Sequence, residues 1–190
     1  QELKDKAMEW LDFILEDYDQ GGSVRTSGYF GPRQDNENEP DWWPRMVVLQ
    51  TLRAYYDATV LEGNPAERVL KLMDGYFKYQ LGILNDKPRS WWGQARGGDN
   101  LDIVLWYYNQ VCVKGEDSAW LLDLAEILIS QTKGWSTGSS WSETFTETTA
   151  REHVVNTTQI SMRILGESWI GDELERIAYN ALPAGYTPDY

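Results

Sequence analysis

The chain has 190 residues and a mass of 21.9 kDa, with 17 Lys and Arg against 30 Asp and Glu, a formal net charge of −13 at pH 7. That balance excludes a nucleic-acid binder, which needs a basic stripe against phosphate, and a partner of an anionic membrane surface. Hydrophobic residues at 42% and charged residues at 25% exclude disorder as the default state, and the length predicts one domain over residues 1–190.

The apolar spacing is helical from end to end. Segment 2–18 carries Leu3, Ala7, Trp10, Leu11, Phe13, Ile14 and Tyr18 on a three-to-four repeat. Segment 44–60 follows, with Pro44 suited to a first turn and Asp41 to the cap region. Segment 65–82 has Asn64 as cap, Pro65 at the first helical position and Glu67 three residues after the cap. Segment 100–113 begins after Asp99, and segment 118–132 begins at Ser118. Segments 151–165 and 170–181 complete seven predicted helices, and no stretch reads as a strand. No apolar run reaches the roughly 18 residues of a membrane span, and the acidic opening segment 1–20 does not read as a signal peptide.

Connections alternate in length. The turns at 61–64 and 114–117 are short, whereas 19–43, 82–99 and 133–150 are long. Short turns join antiparallel neighbours, so long and short connections fall at opposite ends. The fold expected is therefore all-α: a toroid of helical hairpins, (α/α)6-barrel-like but incomplete.

The outlier in composition is aromatic: 10 Trp and 11 Tyr against 4 Phe. Trp and Tyr join an apolar body to a polar tip and are favoured at binding surfaces. Trp42, Trp43, Trp91, Trp92, Trp135 and Trp141 all fall in the long connections, with Arg96, Asp99, Glu143 and Glu147, and Arg45 follows the first of them at the same end. Aromatic plates interleaved with carboxylates and arginines suit a carbohydrate, whose C–H faces stack on indole while its hydroxyls take hydrogen bonds. The same pattern also reads as apolar staples within long loops.

Arg96-Gly97-Gly98-Asp99-Asn100 opens a helix. Asp99 reads as an N-cap, with Asn100 or the free amides able to face a ligand. Tandem Trp42 and Trp43 cannot both face a core. The four carboxylates in 35–41 read either as a solvated loop or as a calcium site, and their spacing departs from the twelve-residue calcium loop. His153 is the sole histidine and Cys112 the sole cysteine. His153 reads as a structural residue or an acid/base. Cys112 reads as an incidental thiol and can form neither an internal disulfide nor a thiolate cluster. No metal site is expected from these residues. Glu143 and Glu147 would lie one turn apart on a helix, and two carboxylates across a cleft are the minimum for ordinary glycoside hydrolysis, but the Ser- and Thr-rich stretch 139–149 reads as loop.

The blocks DWWPRMVVLQTLRAYYDAT, ARGGDNLDIVLWYYN, WLLDLAEILISQT, EHVVN and DELERIAYNALPAGYTPD resemble, in order, the catalytic domain of glycoside hydrolase family 127, the β-L-arabinofuranosidases. The resemblance implies an (α/α)6 barrel, a retaining glycosidase activity on β-L-arabinofuranosides of plant glycans, and secretion or a periplasmic location. It also implies a zinc-bound cysteine nucleophile in a Glu-x-Cys motif, a later cysteine pair and a separate acid/base glutamate. None of these is present in the 190 residues, so no catalytic residue and no zinc ligand is carried over; zinc is expected only with a complete family site. His153 matches the histidine block lining the family's sugar pocket. Asp99 and Asn100 match the helix start where many members place a sugar-contacting histidine, and Trp42 and Trp43 match a pocket-side loop. The expected substrate-binding residues are thus Trp42, Trp43, Trp91, Trp92, Arg96, Asp99, Asn100 and His153. The expected function is action on, or binding of, such glycans, and the alternative is a non-catalytic binding or self-assembling subunit, possible as a homo-oligomer.

Overall fold

The structure is a computed structural model that describes residues 2–21, 28–30, 42–63, 66–89, 93–94, 96–113, 117–132, 159, 161–163, 165–176 and 178–179. Among them all regular structure is helical. The helices are α1 (Glu2–Asp19), α2 (Trp43–Leu61), α3 (Glu67–Ile83), α4 (Gly97–Val113), α5 (Ala119–Gln131) and α6 (Ser168–Arg176). Residues 159, 161–163 and 165 are helical within the predicted 151–165 segment. The chain divides into two compact units, Gln1–Pro88 and Arg89–Tyr190.

In the first unit α3 touches both α1 and α2. The inner face of α1 buries Leu11 and Leu15, four residues apart on one helical stripe. Tyr55 Oη on α2 donates to Met8 Sδ on α1 at 2.8 Å. The ion pair of Arg68 with Asp12 spans 4.0 Å between exposed side chains and adds little beside that packing. The helices α2 and α3 bury Met46, Leu49, Leu52, Val69, Leu72, Met73, Tyr76 and Phe77.

Residues 28–30 fasten to this pair. Gly28 has φ +75°, and a Cβ there would collide with Gly75 O and lie 2.8 Å from Tyr79 Cβ, so backbone approach and left-handed conformation both demand glycine. Phe30 then stacks 4.5 Å from Tyr76. Its carbonyl accepts from Arg45 Nε at 3.3 Å, and the Arg45 guanidinium lies 4.7 Å from the Tyr29 ring centroid, a cation–π arrangement.

In the second unit α4 and α5 pack side by side across the short 114–118 connection. Helix α4 buries residues on most of its circumference, at Leu101, Ile103, Val104, Leu105, Tyr107 and Val111. By contrast, α5 buries one stripe, Leu121, Leu124, Ala125 and Leu128. Ile170 is buried on α6, where a Cβ on Gly171 would meet Met162 Cε at 3.3 Å.

One predicted helix start is corrected and one holds. Asp99 is not the cap of α4: the helix begins at Gly97, and Asp99 is its third residue, its amide donating to Arg96 O at 3.0 Å. The glycines accept a tight helical opening that places them, rather than the aspartate, at the terminus. Ser118 stands at the cap position of α5 but makes no side-chain cap bond; Asp117 Oδ1 accepts from the Ala119 amide at 3.3 Å instead. Pro44 does occupy the first turn of α2, after Trp42 at the cap position. Asn64, Pro65 and Asp41 lie outside the described residues.

Candidate functional site

The most polar buried constellation lies in the second unit, where the chain enters α4. Arg89 is 2% exposed. Its backbone is clamped from two sides: its amide donates to Gln131 Oε1 at 3.2 Å, and its carbonyl accepts from Gln94 Nε2 at 3.0 Å. Its guanidinium reaches the C-terminal end of α5, where Nη2 donates to Leu128 O and to Thr132 Oγ1, the latter at 2.9 Å. Nε and Nη1 are buried and have no hydrogen-bond partner. Burial lowers the pKa of the side chain from 12.5 to about 10, because desolvation penalises the charged form. Among the described residues no carboxylate offsets that cost.

Gly97 abuts this guanidinium. A Cβ on Gly97 would collide with Arg89 Nη1 and Thr132 Oγ1. Gly97 and Gly98 are both buried. The guanidinium, its Nε and Nη1 unpartnered, therefore lies against the opening residue of α4. Arg96 and Asp99 are half-buried beside the two glycines and Asn100 is fully buried.

The expected binding residues fall as follows. Arg96, Asp99 and Asn100 cluster at the head of α4. Trp42 and Trp43 belong to the first unit and divide as tandem tryptophans must: Trp42 is 0% exposed and Trp43 is 38% exposed. Trp42 sits among Tyr76 and Tyr79, ring centroids 6.4 and 6.1 Å away, and its Nε1 donates to Lys87 O at 3.3 Å. An indole enclosed on both faces has none to offer a sugar, and Trp42 is a core residue of the first unit. Trp91, Trp92 and His153 lie outside the described residues, as do Trp135, Trp141, Glu143, Glu147 and the 35–41 carboxylates. Arg89 was not expected from the sequence. The available signal was an arginine two residues before the Trp91-Trp92 pair, within the same long connection as Arg96.

Among the described residues no three His, Cys, Asp or Glu side chains converge as a metal site, and no described helix is long and apolar enough to cross a membrane. Cys112 is the sole cysteine of these 190 residues, and a thiolate-rich zinc site needs several. No known family model, curated protein or solved structure matches the chain.

Proposed function

We propose that this protein is a glycoside-hydrolase-like relative of the β-L-arabinofuranosidases. In this reading it is secreted or periplasmic, built as an incomplete (α/α) toroid, and acts on or binds β-L-arabinofuranoside-type plant glycans. The reading rests on the ordered sequence blocks. The observation that supports it best is the head of α4, where the ARGGDN block lies with Arg89, Gln94, Arg96 and Asn100. Convergent polar groups flanked in the chain by Trp91 and Trp92 suit hydroxyl recognition beside aromatic stacking.

The test is calorimetric titration of the full chain with β-L-arabino-oligosaccharides, run beside an assay for arabinose release from an aryl β-L-arabinofuranoside. Binding without release identifies a non-catalytic binder, and release identifies an enzyme. Absence of both removes the glycan reading.

A separate observation favours self-assembly as the second reading. The outer face of α2 exposes Val47 at 58% and Leu61 at 89%, with Thr51, Ala54 and Ala58 exposed between them. Asp57, the one carboxylate on this face, pairs with Arg53 at 3.7 Å. An antiparallel second copy of α2 sets Val47 opposite Ala58 and Thr51 opposite Ala54, large against small, without bringing net charge together. Helix α1 also exposes Trp10 and Phe13, each at 72%, but they stand among Asp5, Glu9, Asp12 and Glu16, all exposed, which would repel a second copy. Sedimentation velocity across a concentration series tests this reading. A dimer abolished by Val47→Glu sustains it, and a monomer at every concentration removes it.

A further inference from the structure

We propose that the outer face of α1 is a docking surface for a basic, Arg- or Lys-rich helical segment of a protein partner. Asp5, Glu9, Asp12 and Glu16 are all exposed and follow one another at four, three and four residues, so they form one stripe along the helix. The stripe spans about 16 Å at the helical rise per residue. Like charges at these spacings destabilise a helix, and each neighbouring pair in the stripe repeats that repulsion. Lys6 turns to Glu2 instead, at 2.9 Å, outside the stripe. Stability of α1 does not explain such an arrangement, whereas an incoming cation does.

The same face is also apolar. Trp10 and Phe13, three residues apart, are both largely exposed, and Phe13 stands one turn from Glu9 and from Glu16. An open groove of about 880 Å³ runs along this face, and its lining among the described residues is Met8, Trp10 and Phe13 with the four carboxylates. Large aromatic side chains left in water beside a groove are what a partner buries. The charge selects that partner. It repels a second copy of α1, which would bring the same stripe against itself, and it repels an anionic bilayer. A helix with cations at the same four-three-four spacing matches the stripe. Its apolar residues lie against Trp10 and Phe13, and a guanidinium can sit over the Trp10 indole. One guanidinium already reaches the stripe from within the first unit: Arg68 of α3 lies 4.0 Å from Asp12. The face belongs to the first unit alone and owes nothing to the glycan reading.

The experiment titrates the full chain with a synthetic amphipathic helix that carries Arg at i, i+4, i+7 and i+11 and Leu beside them. A peptide of the same composition in scrambled order is the control. The readouts are fluorescence anisotropy of the labelled peptide and the Trp10 indole N–H resonance. The expected result is saturable binding that moves the Trp10 resonance, weakens with added salt and exceeds that of the scrambled peptide about tenfold. Glu9→Lys and Trp10→Ala should each weaken it about tenfold or more. Both positions are exposed, and Glu9→Lys relieves repulsion within its own helix, so an unchanged thermal midpoint separates loss of docking from loss of fold. The Trp10 readout on the unaltered protein needs no variant. Glu126→Lys on α5, also exposed, makes the same change in net charge and should leave binding within about twofold. Equal binding of the two peptides, an unmoved Trp10 resonance, or equal effects of Glu9→Lys and Glu126→Lys overturns the proposal. So does self-association of the parent that Trp10→Ala abolishes, which would make a second copy the occupant. Failure of glycan binding with peptide binding intact removes the glycan reading alone, and the reverse removes the docking surface alone.

Discussion

Thr132 Oγ1 accepts a hydrogen bond from Arg89 Nη2 at 2.9 Å and donates to Leu128 O at 2.7 Å. One hydroxyl thereby joins the chain entering the second unit to the C-terminal end of α5. It is the only side-chain oxygen holding the Arg89 guanidinium among the described residues. Thr132→Val keeps the side-chain shape and removes both bonds. With a charged donor left short of an acceptor, the expected loss of stability is about 1–3 kcal/mol. Urea denaturation of the two proteins checks it, and an unchanged midpoint would show that Arg89 is held by other means.

Glycine substitutions should split by site. Alanine is favoured over glycine in a helix by about 1 kcal/mol. At Gly82 on α3 a new Cβ meets nothing within 4 Å, so Gly82→Ala should stabilise by about 0.5–1 kcal/mol. At Gly97 the same methyl runs into Arg89 and Thr132, which are held by their own hydrogen bonds and cannot easily retreat. Overpacking of this kind costs about 1–3 kcal/mol, enough to reverse the gain. Paired thermal melts of the two alanine variants read the difference directly, and equal shifts would refute the crowding at Gly97.

Periodicity made the helices legible because each buries an apolar stripe: α5 shows Leu121, Leu124 and Leu128 at helical spacing, and α3 shows Val69, Leu72, Met73 and Tyr76. Pro44 likewise marked the first turn of α2, where its fixed φ suits the backbone. Boundaries were less legible. Asp99 has the chemistry of a cap, yet Gly97 and Gly98 extend α4 past it, since two glycines can take the helical turn that capping chemistry would have closed. The site was legible only in part. Arg96, Asp99 and Asn100 stood out by motif. Arg89 did not, because what singles it out is burial and missing partners, which depend on Thr132 and Gly97 arriving from other parts of the chain. Trp42 shows the converse: as a type it suits a ligand face, and tertiary packing on Tyr76 and Tyr79 consumes it.

That packing fixes how the two tandem tryptophans respond to truncation. Trp42 is wholly buried and hydrogen-bonded to Lys87 O, so Trp42→Ala should cost about 3–5 kcal/mol of stability. Any loss of glycan affinity in that variant would follow from the damaged first unit. Trp43 is partly exposed on α2, and Trp43→Ala should cost less than about 1 kcal/mol. Trp43→Ala is therefore the interpretable probe of a ligand or self-contact role. Chemical denaturation ranks the two, and a Trp43→Ala loss matching that of Trp42→Ala would contradict the division.

Tyr76 carries the clearest pH signature. It is fully buried, its hydroxyl has no partner, and burial raises its pKa well above the ordinary 10.0, with the nearby Arg45 charge opposing in smaller measure. Below pH 10 the hydroxyl is protonated in both folded and unfolded chains and adds no pH dependence. Above it the unfolded chain ionises first and binds fewer protons, so stability falls as pH climbs from about 10 toward the folded pKa. Tyr76→Phe keeps the ring against Phe30, Trp42 and Phe77 and removes the orphan hydroxyl. The variant should gain about 1 kcal/mol at pH 7 and show a shallower alkaline decline than the parent. Denaturation curves at pH 7 and at a series above pH 10 test both parts. A variant less stable at pH 7 would mean that the hydroxyl has an acceptor, and parallel alkaline declines would mean that Tyr76 does not govern the loss.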